Sequence, residues 1–302
     1  MLKLALTTAL VAALSFGLSH ASQPGKVLEG QKMQSTILKK AVDYTIYFPP
    51  GYEPGERDYP VIHLMHGGGD GQNQDWYRYG AANQVFDRLI ESGDVPPFIA
   101  VTPEGRRDED NKFNTYYMND ADGAYLWQDM FAQEFVSYVE EKYDVIPGKE
   151  NRAILGLSMG GYAAMAFSLK YPDMFVGAAA LSAAFRTDQQ IVELDQPGYD
   201  RRYGKAWGVG LKGKDRLNDA YYANSVLDLV DKTPADNIKE TAIYIDCGAS
   251  DDFFVGNSEL HLKLQKLEIE HRFMAREGGH DWTYWRTGLP EATRFIGELF
   301  RK

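Results

Sequence analysis

The sequence predicts an α/β chain built on a mostly parallel central sheet with helices on both faces. Three observations predict it. From residue 60 onward, short apolar strand patterns alternate with amphipathic helical ones. One of those strands, beginning at Arg152, runs straight into Gly156-Leu157-Ser158-Met159-Gly160 and then into a helix. Ser158, an Asp251-Asp252 pair and His280 each follow a strand pattern, in that chain order. With 302 residues, 44% of them hydrophobic, the chain can bury a sizeable core. No Pro/Gly/Ser-rich linker or internal repeat divides it, so residues 22–302 read as one domain.

The first 21 residues read as a signal peptide. Lys3 gives a positive start, Leu4 to Leu18 is apolar, and Ser19-His20-Ala21 offers small residues at −3 and −1 of a cut after Ala21. The run is too short to span a bilayer comfortably, and no later stretch is long and apolar enough for a membrane span. The expected location is therefore secreted or periplasmic. Cleavage removes one Lys and no acid, taking the net charge from −11 to −12. So acidic a chain is a poor nucleic-acid binder. Cys247 is the single cysteine, which excludes an intramolecular disulfide, and its place at the end of a strand pattern makes it a buried, inert thiol.

Taken in order, Val42 to Phe48 alternates and is β-branched or aromatic, which predicts a strand. Tyr59 to Met65 is the next, with His63 inside it as a packed core histidine. His66-Gly67-Gly68-Gly69-Asp70 follows at once. Tyr79 to Ser92 has one apolar face and reads as a helix, and Phe98 to Thr102 as a strand. The charged run Arg106 to Asp110 and Asn119-Asp120-Ala121-Asp122-Gly123 read as solvated loop. The second lacks the full ligand ladder of a calcium loop, so no metal is expected. Leu126 to Tyr143 is an amphipathic helix whose apolar stripe is core packing. Val176 to Leu181 is a buried strand after the Ser158 helix. The pattern then breaks: residues 183–236 are polar and irregular, with Tyr199, Tyr203, Trp207, Tyr221 and Tyr222 scattered through them, and read as a cap-like insertion whose aromatics either line an acyl or sugar pocket or simply pack an irregular cap. Thr241 to Cys247 resumes the sheet, Asn257 to Leu267 is a helix, and Ile269 to Ala275 is the last strand. Pro290 to Phe300 closes the chain as a helix, with its proline near the first turn.

The pentapeptide at 156–160 is G-x-S-x-G in the strand–turn–helix context of a nucleophile elbow, the hallmark of α/β-hydrolases. That fold orders its catalytic groups Ser, acid, His, each on a loop leaving a strand. Of six histidines, His20 falls in the signal peptide, His63 and His271 sit inside strands, His261 is on a helix and His66 heads a Gly-rich loop. Only His280 combines order, loop and flanking glycines. Ser158 is thus the expected nucleophile, His280 its base, and Asp251 or Asp252 the acid that orients the imidazole. The Met159 N–H and a glycine N–H of the HGGG loop, Gly68, are the expected oxyanion donors. This chemistry requires no cofactor.

HGGGD at 66–70, YYMND at 116–120 with Trp127, GLSMGG at 156–161, GASDDFF at 248–254 and GGHDWTYW at 278–285 together resemble the esterase D / feruloyl esterase superfamily, closest in look to carbohydrate esterase family one. The resemblance covers residues 42 to 300 and is weakest over 185–236. Its Gly-x-x-Asp pattern, here Gly248 to Asp251, implies Asp251 as the acid. It implies a serine esterase acting on feruloyl or acetyl esters of plant polysaccharide or its oligosaccharides. The alternatives are an acyltransferase of the mycolyltransferase type and a non-catalytic glycan-binding member of the fold. Nothing in the sequence assigns an oligomeric state.

Overall fold

The computed structural model describes residues 23–302; the expected signal peptide lies outside the described residues. Eight strands form one sheet in the order β1-β2-β4-β3-β5-β6-β7-β8. They are β1 (Lys26–Ser35), β2 (Lys40–Phe48), β3 (Val61–Met65), β4 (Ile99–Pro103), β5 (Arg152–Leu157), β6 (Gly177–Leu181), β7 (Ala242–Gly248) and β8 (His271–Arg276). From β4 to β8 every pairing is parallel, while β1 and β2 are antiparallel additions at one edge. This is the α/β-hydrolase architecture.

Alternation along the strands builds two cores, because successive side chains leave opposite faces. In β3, Val61 and Met65 join one core while Ile62 and Leu64 join the other. The first core packs the helix Met159–Lys170 and the segment Trp127–Lys142; the second packs the helices Ala82–Glu91 and Trp282–Leu299. Met159–Lys170 is apolar all round and almost wholly buried, as expected of a helix covered by both the sheet and the insertion.

Several elements depart from the sequence reading. β1 was not expected: its residues KVLEGQKMQS are polar because only one side of an edge strand is covered, and a bulge between Leu28 and Gln31 breaks the alternation. The helix expected from Leu126 to Tyr143 contains a wider π-helical turn, Phe131–Phe135. The closing helix starts at Trp282, where Asp281 caps the Tyr284 N–H, so Pro290 lies inside it and not in its first turn. The loop at 119–123 is not simply solvated: Asp120 is buried against the Arg107 guanidinium, and Asn119 accepts the Asp129 N–H. Cys247 is buried as expected, and burial pushes its thiol well up.

For residues 183–236 the structure favours packing over the pocket. They fold into a series of short helices, and their aromatics pack among themselves. Tyr203 stacks on Trp207 at 4.0 Å and 4°, and Trp207 meets Tyr221 edge-on at 5.0 Å. Tyr199, Tyr203, Trp207 and Tyr221 are all buried in the first core. They hold the insertion together and do not line the large cleft over Ser158.

Candidate active site

Ser158 sits between the end of β5 and the helix Met159–Lys170 with φ 53° and ψ −117°, a conformation costly for a residue with a Cβ. Two glycines make the turn possible. A Cβ on Gly156 would meet the Gly160 carbonyl oxygen at 2.1 Å, and one on Gly160 would meet the Met65 carbonyl oxygen at 2.1 Å. The backbone therefore folds onto itself on one side and onto the end of β3 on the other. Ser158 N–H donates to Leu181 O at 2.9 Å, tying the turn to β6. Gly160→Ala is expected to destabilise the protein by about 3 kcal/mol, since rigid backbone must move. Chemical denaturation checks it; an unchanged midpoint would contradict the packing described.

The acid and histidine loops leave β7 and β8 stitched together. Ala249 N–H donates to Arg276 O at 2.8 Å and Ser250 N–H to Gly278 O at 2.9 Å. Below them, buried Asp246 on β7 holds Arg276 on β8 and accepts the Tyr284 hydroxyl, fixing both loops to the helix Trp282–Leu299. The loops place His280 between the two other groups. Its Nδ1 is 2.9 Å from Asp251 Oδ2 and its Nε2 is 2.9 Å from Ser158 Oγ. Asp252 is exposed and makes neither contact.

Asp251 is buried, which pushes its carboxyl up, but the bond from His280 and the Phe253 N–H at 2.9 Å outweigh burial and hold it below its ordinary range. An ionised carboxylate only accepts, so Nδ1 carries the hydrogen and Nε2 presents a lone pair to the serine hydroxyl. Phe253 and Trp285 meet the imidazole edge-on at 5.0 and 4.9 Å and fix its plane. The arrangement can remove a proton from Ser158 and return it to a departing group.

Met159 opens its helix, so its N–H has no acceptor one turn back. Gly68 lies against it: a Cβ there would be 3.4 Å from Met159 Cβ. The loop carrying Gly68 is held from behind. His66 Nδ1–H donates to Gly67 O at 2.8 Å, while its Nε2 accepts the Gly105 N–H at 2.8 Å. Glu104 Oε1 also lies 3.2 Å from that nitrogen, but the Gly105 N–H already fills the lone pair, and Arg106 supplies the carboxylate's counter-charge. Tyr117 donates to His66 O at 2.8 Å.

Above these groups is an open cleft of about 740 Å³. Its walls include Tyr79, Tyr116, Arg186, Phe253, Trp282 and Trp285. Sequence reasoning assigned none of Tyr79, Arg186 or Phe253 to the site. Tyr79 opened a helix pattern, and Arg186 stood in the stretch whose pattern had broken.

Comparisons with known proteins agree with this architecture. Residues 35–296 match the Esterase family model, described as "Putative esterase". An acetyl esterase of Caldicellulosiruptor saccharolyticus is 26% identical over 247 residues, covering 79% of this chain and 84% of that protein. An endo-1,4-beta-xylanase/feruloyl esterase of Xylanibacter ruminicola is 31% identical over 134 residues, or 43% of this chain but only 18% of that much longer protein. Among solved structures, a ferulic acid esterase superposes with a TM-score of 0.78 at 28% identity, covering 92% of this chain and 99% of that one. A matched family spanning nearly the whole described chain, on this sheet and with this elbow, places the protein in the Esterase family, as a serine carboxylic-ester hydrolase of the α/β-hydrolase fold.

Proposed function

We propose that Ser158, His280 and Asp251 form the catalytic triad of an exported esterase acting on feruloyl or acetyl esters of plant polysaccharide or its oligosaccharides. The observation that carries the triad is the unbroken chain Ser158 Oγ–His280 Nε2 and His280 Nδ1–Asp251 Oδ2, both links at 2.9 Å. As Ser158 Oγ attacks the ester carbonyl, His280 Nε2 takes its proton, and Asp251 stabilises the imidazolium. The carbonyl oxygen, now negative, is received by the N–H groups of Gly68 and Met159, each such donor being worth about 3 kcal/mol in the transition state. His280 then protonates the leaving alkoxide, giving an acyl-enzyme on Ser158 and a free alcohol. Water, deprotonated by the same imidazole, releases the acid and restores the serine.

The substrate class is supported by the names of the relatives, an acetyl esterase and two feruloyl or ferulic acid esterases. An open cleft bordered by Tyr79, Trp282 and Trp285 suits a phenolic acyl group or a sugar ring. Export is supported by the Met1 to Ala21 pattern, and it fits polymers too large to enter a cell. No helix among the described residues is long and apolar enough to cross a membrane.

The test is hydrolysis of p-nitrophenyl acetate, methyl ferulate and acetylated xylan by the wild type and Ser158→Ala. The wild type should cleave the nitrophenyl ester and at least one of the other two, and the variant should lose about 10⁶-fold in kcat. Activity unaffected by Ser158→Ala would overturn the mechanism. Turnover of the nitrophenyl ester alone would overturn the substrate class.

A further inference from the structure

Arg186 is the unusual residue of the cleft. It follows β6 at the start of the insertion, and its guanidinium is pressed among aromatic rings. Its carbon Cζ lies 4.5 Å from the centre of Phe253 and 5.8 Å from that of Tyr203. Phe253 in turn packs on His280, so Arg186 is one ring away from the histidine. The hydrogen-bond partners of its Nη1 are two phenols, Tyr203 at 2.6 Å and Tyr116 at 3.4 Å. None of the ion pairs among the described residues involves Arg186. A half-buried cation without a carboxylate is costly to hold, because neutral phenols and ring faces replace only part of its hydration.

The remaining donors of that guanidinium have a definite geometry. Nε–H and Nη2–H lie on one edge, side by side, and neither is engaged by the phenols, which both bind Nη1. That edge is the fork that matches the two oxygens of a carboxylate. None of the acidic residues lining the cleft pairs with Arg186. Asp70 faces Arg201 at 3.7 Å, Asp75 takes the Gln72 N–H at 2.9 Å, and Asp281 takes the Tyr284 N–H at 3.0 Å. Asp252, also in the cleft wall, is exposed to water. The chain has a net charge of −11, which repels anions at large, and of the cleft arginines Arg201 faces Asp70 and Arg202 donates to Gly198 O, while Arg186, one ring away from His280, has phenols but no acceptor of opposite charge.

We infer that Arg186 is a specificity residue that binds a carboxylate carried by the ester substrate. This deepens the esterase reading and rests on it. The carboxylate has two possible sources. It is part of the alcohol, as in an acetylated uronic acid, or part of the acyl group, as in the half-ester of a dicarboxylic acid. In both cases the substrate replaces the counter-charge that the fold withholds, and the cleft gains a forked, charge-assisted contact.

The test compares kcat/KM within two matched pairs: acetylated glucuronic acid against acetylated glucose, and monoethyl succinate against ethyl butyrate. The readout is the anionic-to-neutral ratio. In one pair the wild type should favour the anion by roughly 10- to 100-fold, the worth of a hydrogen-bonded charge, and that pair identifies the source. Arg186→Gln should bring the ratio to about one, mainly through KM, and Arg186→Lys should leave it intermediate, since charge is kept and the fork lost. Raising the salt concentration should shrink the wild-type ratio, a readout that holds even if the glutamine variant misfolds. Hydrolysis of the neutral esters with ratios at or below one in both pairs would overturn the role of Arg186 and leave the esterase reading intact. Hydrolysis of none of the four while p-nitrophenyl acetate and methyl ferulate are still cleaved would overturn this inference alone, and failure on those two as well would overturn the esterase reading and this inference with it.

Discussion

Asp251→Asn will lower kcat/KM for p-nitrophenyl acetate by roughly 10⁴-fold, the loss known for the analogous change in a serine protease triad, whereas Asp252→Asn will stay within about twofold of wild type. The reason is positional. Asp251 Oδ2 receives His280 Nδ1 at 2.9 Å, and its other oxygen receives the Phe253 N–H at 2.9 Å. An amide at position 251 donates from one of its two positions. Held in place by the Phe253 N–H, it turns its NH₂ toward Nδ1, which must then accept and leave its hydrogen on Nε2. The imidazole then points a hydrogen at Ser158 where a lone pair is needed. Asp252 faces the cleft and water, so its neutralisation changes neither tautomer nor packing. Steady-state kinetics on the two variants separate them; the reverse ranking would refute the assignment of Asp251.

The second large effect concerns acid stability and a residue far from the chemistry. His63 is wholly buried in β3, surrounded by Phe131, Phe135 and Phe175 at 5.5 to 6.3 Å, and neither ring nitrogen has a hydrogen-bonding partner. Burial, aided by the charge of Arg152, pushes its pKa down from 6.5 to about 3. The unfolded chain takes up a proton at this site below pH 6.5 and the folded one resists it until pH 3. The unfolded state thus binds more protons in that window. Stability is complete above pH 6.5 and falls as the pH drops towards 3. At about 1.4 kcal/mol per unit, the loss is about 2 kcal/mol by pH 5 and about 5 kcal/mol by pH 3. His63→Leu removes the titrating group, so its denaturation midpoint should fall less between pH 7 and pH 5 than that of the wild type. Parallel falls would contradict the account.

What the sequence made legible follows from what each residue has to satisfy. The strands β3 to β7, covered on both faces, are apolar runs that carry their own signal, and the edge strand β8 shows itself by alternation. The elbow was legible because a strained serine between two close backbone approaches admits almost nothing but glycine on either side. His280 was legible by elimination and by its loop. β1 was not, since an edge strand with one covered face is polar. The start of the closing helix was hidden because its signal, Asp281 as a cap, sits inside a motif already read as a loop, and Pro290 suggested a start eight residues late. The aromatics of 183–236 illustrate a deeper limit. Tyrosines and tryptophans in a patternless stretch look like a binding surface, yet stacking of Tyr203 on Trp207 serves the insertion itself. The residues from that stretch that do line the cleft, Arg186, Arg201 and Arg202, have no periodic signal; Arg186 is marked only by its placement against Phe253 and two phenols.

The central claim is that Ser158 is a nucleophile activated by His280. It is tested most directly by reaction with a fluorophosphonate followed by peptide mass mapping. The wild type should carry one phosphonyl group, on the peptide containing Ser158. His280→Ala should label far more slowly, because the serine proton then has no acceptor 2.9 Å away. Labelling on any other residue, or labelling of Ser158 at an undiminished rate in His280→Ala, would contradict the account.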